Sequence, residues 1–132
     1  PVKVFGLGLA GTFYGKELTY GHPASSGMRG AFFYHAPELC KYEQQDAPNP
    51  YSKLLPQDKK HTDIWSIGAI LITGMTGRAP TSGALPQEIR HNIIQGDYHQ
   101  IDNRLANIQV EGVKLIQKTL QVNPKRRPNP NQ

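Results

Sequence analysis

The stretch from Thr62 to Met75 constrains the fold more than any other part of the chain. Ile64, Trp65, Ile67, Ala69, Ile70, Leu71, Ile72 and Met75 occupy nearly every face of a helix drawn through it. A helix that is apolar all round needs neighbours on all sides, so it predicts a central buried post. Thr62 or Asp63 is placed to cap its start by accepting from first-turn amides, and Gly77 and Pro80 end it. The post is too short and too interrupted by Ser66, Gly68, Thr73 and Gly74 to span a bilayer.

The other elements are helical and short. Ala36 to Glu43 reads as a short helix. Leu85 to Ile94 is a second helix, with Ile89, Ile93 and Ile94 on one side. Val110 to Val122 is a third, with Val113, Ile116 and Leu120 at helical spacing, stopped by Pro124 and Pro128. Val2 to Phe5 reads as a short strand. Residues 6 to 30 hold seven glycines and a proline, and residues 44 to 60 carry Pro48, Pro50 and Pro56, so both stretches read as loop. The chain of 132 residues is therefore one mainly α domain or a piece of one. It opens on Pro1-Val2-Lys3 without an initiator Met or a signal peptide, which reads as a fragment.

Several function classes are set aside by composition. The single cysteine, Cys40, allows no internal disulfide and fits a reduced intracellular, cytoplasmic protein. His22, His35, His61, His91 and His99 lack zinc-site spacing, so no metal site is expected. The net charge of +5 is spread along the chain. Its tightest cluster, Lys125-Arg126-Arg127, reads as a solvated face and not as a nucleic-acid surface.

Gly6-Leu7-Gly8-Leu9-Ala10-Gly11 matches G-x-G-x-x-G after a short strand, the pattern by which glycines admit a dinucleotide pyrophosphate. Leu18, Gly21 and His22 even resemble the start of a nicotinamide-dependent hydroxyacid dehydrogenase. The context argues against an NAD(P)-dependent oxidoreductase. The helix that should follow contains Gly15 and meets Gly21 and Pro23, and residues 28 to 37 contain no acidic residue to hold the ribose.

The rest of the chain resembles the protein kinase family. Gly30 to Glu38 resembles the end of an activation segment, with Ala36-Pro37-Glu38 as its Ala-Pro-Glu. His61 to Gly68 resembles the start of the family's central helix, and Thr76-Gly77-Arg78-Ala79-Pro80 resembles its exit. Ile94 to Tyr98 is similar to the segment after the next helix, and Leu115 to Pro128 to the closing motif. These five segments stand in the family's order. The closing motif most resembles serine/threonine kinases of the calcium/calmodulin-dependent kind.

The resemblance implies a truncated C-terminal lobe of a kinase-like fold, with residues 1–38 as a degenerate metal motif and activation segment and residues 39–132 as the helical lobe. It implies that Glu38 pairs with Arg127, that Asp63 holds the catalytic-loop backbone, and that Trp65 is core. Ala31, Phe32 and Tyr34 fall in the substrate-loop region. Thr12, Thr19, Ser25 and Ser26 fall in the activation segment, where phosphorylation can order a loop by pairing with arginine. The helix from Leu85 to Ile94 lies where related domains meet protein partners.

The departures bear on chemistry. Gly6-Leu7-Gly8 stands where the family has Asp-Phe-Gly, whose aspartate binds the magnesium on the nucleotide phosphates. Gly6 has no side chain to offer. Ala31 stands where serine/threonine kinases usually carry a threonine hydroxyl, and Phe32 where proline is common. Residues 44 to 60 look like an insertion. No N-terminal lobe, lysine strand or His-Arg-Asp loop is present in this sequence, so the chain alone holds no catalytic residue and calls for no cofactor. ATP and magnesium belong to the whole protein only if that protein is active. The expectation is a pseudokinase acting by protein binding or scaffolding, with a fragment of an active kinase as the alternative.

Overall fold

The computed structural model describes residues 1, 3, 31–43, 54–97 and 105–130. Among these residues the structure is helical, with no strand. The strand expected at residues 2–5, the Gly6–Gly11 segment, the four candidate phosphosites and most of the expected insertion lie outside the described residues.

A 3-10 turn over Ala31–Tyr34 leads into helix α1 (Pro37–Glu43). Helix α2 (Pro56–Thr76) follows, then α3 (Pro86–Gln95), α4 (Val110–Thr119) and a last 3-10 turn over Pro124–Arg126. Helix α2 packs on α4 and on both 3-10 turns, while α3 packs on α1 and on the first turn.

Local chemistry sets the ends. Pro56 and Pro86 each sit at the start of a helix after an extended leucine. Their fixed φ suits that position and their missing N–H is no loss there. Gly77 and Gly96 close α2 and α3 in the left-handed region, at φ of 70° and 73°, which a side chain would make costly. At the start of α3, Glu88 reaches back to accept from the Ala84 amide at 2.8 Å, one residue before the N-cap Leu85. Asn92 donates to the Ser82 carbonyl at 2.9 Å and ties the preceding loop to the same helix.

The core lies between α1, α2, α3 and α4. Ala36, Cys40, Trp65, Ala69, Ile72, Ile89, Ile93, Leu105, Ile116 and Leu120 are buried and contiguous. Helices α2 and α4 meet closely at Gly68, where a Cβ would overlap the Thr119 side chain and lie 3.1 Å from Leu120 Cδ2.

Four expectations change. The central helix begins at Pro56, not at Thr62, so residues 56–60 are helical and neither Thr62 nor Asp63 caps it. Its first turns are polar because they lie outside the core, and hydrophobic periodicity has nothing to read there. The helix is also not covered on all sides. Ile67, Ile70 and Met75 are 48%, 59% and 50% exposed, while Trp65, Ala69 and Ile72 on the opposite face are fully buried. Helix α4 stops at Thr119, because Leu120 leaves helical geometry at φ −87° and ψ 26°. Finally, the basic run is divided: Lys125 and Arg126 are exposed, but Arg127 is buried.

Candidate functional site

Arg127 makes five hydrogen bonds, and its surroundings explain why a guanidinium can be buried. It arrives in the core by way of the last 3-10 turn, which Asn123 opens by accepting from the Lys125 amide at 3.0 Å. Its Nη1 donates to Glu38 Oε1 at 2.7 Å and to the His61 carbonyl at 2.8 Å. Its Nη2 donates to Glu38 Oε2 at 2.8 Å and to the Val122 carbonyl at 3.2 Å. Its Nε donates to the Gln121 carbonyl at 2.7 Å. All five guanidinium donors are thus used, and the pairing with Glu38 is the bidentate fork that arginine makes with carboxylates. The Arg127 side chain is wholly buried and that of Glu38 is 13% exposed. The guanidinium carbon also lies 5.2 Å from the centre of the Trp65 ring, close enough for a cation–π attraction.

Helix α2 contributes two hydroxyls to the same region. Thr62 donates to Glu38 Oε1 at 2.8 Å, and Ser66 donates to the Tyr34 carbonyl at 2.9 Å. Each hydroxyl also faces the carbonyl four residues back on its own helix, Asp58 at 3.1 Å for Thr62 and the Thr62 carbonyl at 3.3 Å for Ser66. The turn over residues 31–34 and the first residues of α1 are therefore fastened to α2 by side chains one helical turn apart. Neither hydroxyl stands out in the sequence as a site residue. The available signal is that Thr62, Trp65, Ser66 and Ala69 follow i, i+3, i+4, i+7, so both hydroxyls share the buried face with Trp65 and Ala69.

Asp63 sits apart from this network. It is exposed on the other side of α2, in line with Ile67 and Ile70, and no hydrogen bond or ion pair falls on it among the described residues. Partial desolvation nevertheless raises its carboxyl pKa above the usual carboxylate range.

The structure thus brings Glu38, Trp65 and Arg127 together with the backbone of Tyr34, and places Asp63 apart from them. Gly6, Leu7, Gly8, Thr12, Thr19, Ser25 and Ser26 lie outside the described residues, as do the side chains of Ala31 and Phe32. Among the described residues, no three His, Cys, Asp or Glu side chains gather in a way that could hold a metal ion. None of the described helices is long and apolar enough to cross a membrane.

Comparison with known proteins places this architecture. The family model described as protein kinase domain matches residues 2–132. Serine/threonine-protein kinase ATG1c of Arabidopsis thaliana is 30% identical over 95 residues, 72% of this chain and 11% of the relative. Protein lin-2 of Caenorhabditis elegans is 27% identical over 128 residues, 96% of this chain and 11% of the relative. The calcium and calcium/calmodulin-dependent serine/threonine-protein kinase of Oryza sativa subsp. japonica is 33% identical over 102 residues, 77% of this chain and 20% of the relative. Among solved structures, the twitchin kinase region of C. elegans has the same fold, with a TM-score of 0.59 and 24% identity over 75% of this chain and 15% of that one. This chain therefore spans between about a tenth and a fifth of the length of these proteins. With a family match running through nearly its whole length and a helical lobe of the same fold, the chain belongs to the protein kinase family.

Proposed function

We propose that the protein carrying this chain is a pseudokinase, a kinase-fold protein that acts by binding or scaffolding other proteins instead of transferring phosphate. The observation that carries this reading is Gly6, which stands in the sequence where the family's magnesium-binding aspartate belongs. Phosphoryl transfer rests on positioning and on charge stabilisation by metal ions, and a glycine supplies no ligand. Ala31 supports the same reading, because it lacks the hydroxyl that serine/threonine kinases carry there. The lobe's own fastening is intact by contrast: Arg127 keeps all five of its hydrogen bonds, two of them to Glu38.

In this reading residues 1–38 are the degenerate metal motif and activation segment, residues 39–132 are the helical lobe, and the protein is intracellular. The turn over Ala31–Tyr34 faces a partner polypeptide, and the outer side of α3, with Leu85 60% exposed at its start, is a second contact surface. The deciding experiment is magnesium-dependent ATP turnover by the full-length protein. Turnover at background supports the proposal; robust turnover abolished by an active-site substitution overturns it.

A second reading is an active serine/threonine kinase, of the calcium/calmodulin-dependent kind, whose metal ligand comes from elsewhere. It is favoured by the relatives described as serine/threonine-protein kinases. Gly6→Asp separates the two. A large gain in turnover means that the remaining machinery is whole; no gain means that the loss extends beyond one ligand.

A further inference from the structure

We propose that Ser66 is the positioning residue for the Ala31–Tyr34 turn, fixing it to α2 through the Tyr34 carbonyl. The importance of that turn rests on the proposed reading that it faces a partner polypeptide; the fastening itself does not.

Three observations lead to Ser66. First, a turn of four residues has little hydrogen bonding of its own and must be held from outside. Ser66 Oγ, 2.9 Å from the Tyr34 carbonyl, supplies a directional hold of this kind, beside the packing of Phe33 and Tyr34 on the core. Second, the turn has no hydroxyl at its own first residue, since position 31 is alanine. The fastening from α2 then carries more of the register. Third, Ser66 works in series with Thr62, one helical turn earlier, whose hydroxyl meets Glu38 at 2.8 Å. The two hydroxyls set the turn and α1 at successive heights along one ridge of α2.

The geometry also makes this fastening reversible. A serine hydroxyl has one proton to give. Ser66 gives it across the 2.9 Å gap to Tyr34, yet the Thr62 carbonyl waits at 3.3 Å on its own helix. Thr62 has the same choice between Glu38 and the Asp58 carbonyl. When the segment lifts away, each hydroxyl falls back on the carbonyl four residues earlier, a bond that serine and threonine readily make inside helices. Neither hydroxyl is left without an acceptor, so lifting the turn from Ser66 avoids the penalty of an orphaned buried hydroxyl. The turn over Ala31–Tyr34 is held in register yet can leave Ser66 without unfolding α2, while α1 stays fastened by the Arg127–Glu38 fork.

The test is amide hydrogen exchange read by mass spectrometry on the protein and on Ser66→Ala, Ser66→Thr and Thr62→Val. In Ser66→Ala the peptide covering residues 31–36 should exchange about fivefold faster, the factor expected from one net hydrogen bond of about 1 kcal/mol. Helices α2, α3 and α4 should keep their protection. Ser66→Thr, which retains the hydroxyl, should restore slow exchange, and Thr62→Val should speed α1 more than the turn. Unchanged exchange of residues 31–36 in Ser66→Ala overturns the proposal. So does acceleration in equal proportion in every helix, which marks general loss of stability. Since the exchange readout involves neither ATP nor a partner, an active full-length kinase would sink the functional reading and leave this result standing.

Discussion

Replacing Arg127 with methionine is the sharpest test of what holds this lobe together. The substitution keeps an unbranched apolar stem but removes all five donors. Glu38 is then left as a carboxylate whose side chain is only 13% exposed, with the Thr62 hydroxyl as its remaining hydrogen-bond partner among the described residues. The carbonyls of His61, Gln121 and Val122 lose a donor each, and Trp65 loses the cation over its ring. Breaking one side of a buried ion pair costs about 3–5 kcal/mol. With a urea dependence of about 2 kcal/mol per molar, the unfolding midpoint should fall by about 2 M. Trp65, the chain's single tryptophan, reports the transition by fluorescence, with far-ultraviolet circular dichroism as the control for its altered surroundings. The second arm is Glu38→Leu combined with Arg127→Met. Removing the stranded charge should bring back about half of the loss, because the penalty of an unpaired buried carboxylate disappears. A midpoint shift under about 0.5 M in Arg127→Met, or a double variant as unstable as the sum of the two singles, would refute the reasoning.

Other outcomes follow from the same structure. Gly68→Ala should cost about 1–3 kcal/mol by calorimetry, because its Cβ would strike Thr119 and come within 3.1 Å of Leu120. Gly74→Ala, on the same helix with nothing within 4 Å, should instead stabilise by about 1 kcal/mol. Thr81 is 4% exposed and its hydroxyl has no hydrogen-bond partner among the described residues, so Thr81→Val should stabilise by about 1 kcal/mol in the same assay. The raised pKa of Asp63 means that the folded chain binds its proton more tightly than the unfolded chain. That contribution favours folding below the ordinary carboxylate pKa and is lost as pH rises through the folded value. Asp63→Asn should therefore raise the melting temperature at pH 7, with the gain vanishing near pH 3; a gain that grows on acidification contradicts the assignment. Ile70→Lys, at a residue 59% exposed, should leave the chain's stability within about 0.5 kcal/mol. Ile72→Lys, at a fully buried one, should abolish cooperative unfolding by circular dichroism.

Element type was legible where a segment was both periodic and packed. Ile89 and Ile93 mark α3, and Val113, Ile116 and Leu120 mark α4, because in both helices one face alone meets the core. Boundaries were legible only where the chain's punctuation had one meaning. Gly77 did, since a glycine after an apolar helical run closes it. Pro56 did not, since proline both interrupts a helix and opens one. The polar residues from Gln57 to His61 then offered no period to settle the matter. In the site, charge type was visible but charge environment was not. Arg127 sits in a run of three cations, and nothing local in that run separates it from its exposed neighbours Lys125 and Arg126. Its partner Glu38 lies 89 positions away, a distance that only the resemblance to a kinase lobe bridged.

The same limit explains the two sides of α2. An apolar residue states a preference for burial, not which neighbour provides it. Ile67, Ile70 and Met75 carry the preference as clearly as Trp65 and Ile72, yet only the second pair meets the core of this chain. Thr62 and Ser66 show the converse. As polar residues in an apolar helix they look like interruptions, but they lie on the covered side and make the bonds that give the turn and α1 their register. Apolar contact holds that side of α2 against the core without choosing a register, since such contact is non-directional. The two hydroxyls and the Arg127 fork are directional, and they select one placement of residues 31–43 among the many that would bury the same surface. In this lobe, burial supplies the affinity of the segment for α2, and three polar side chains supply its address.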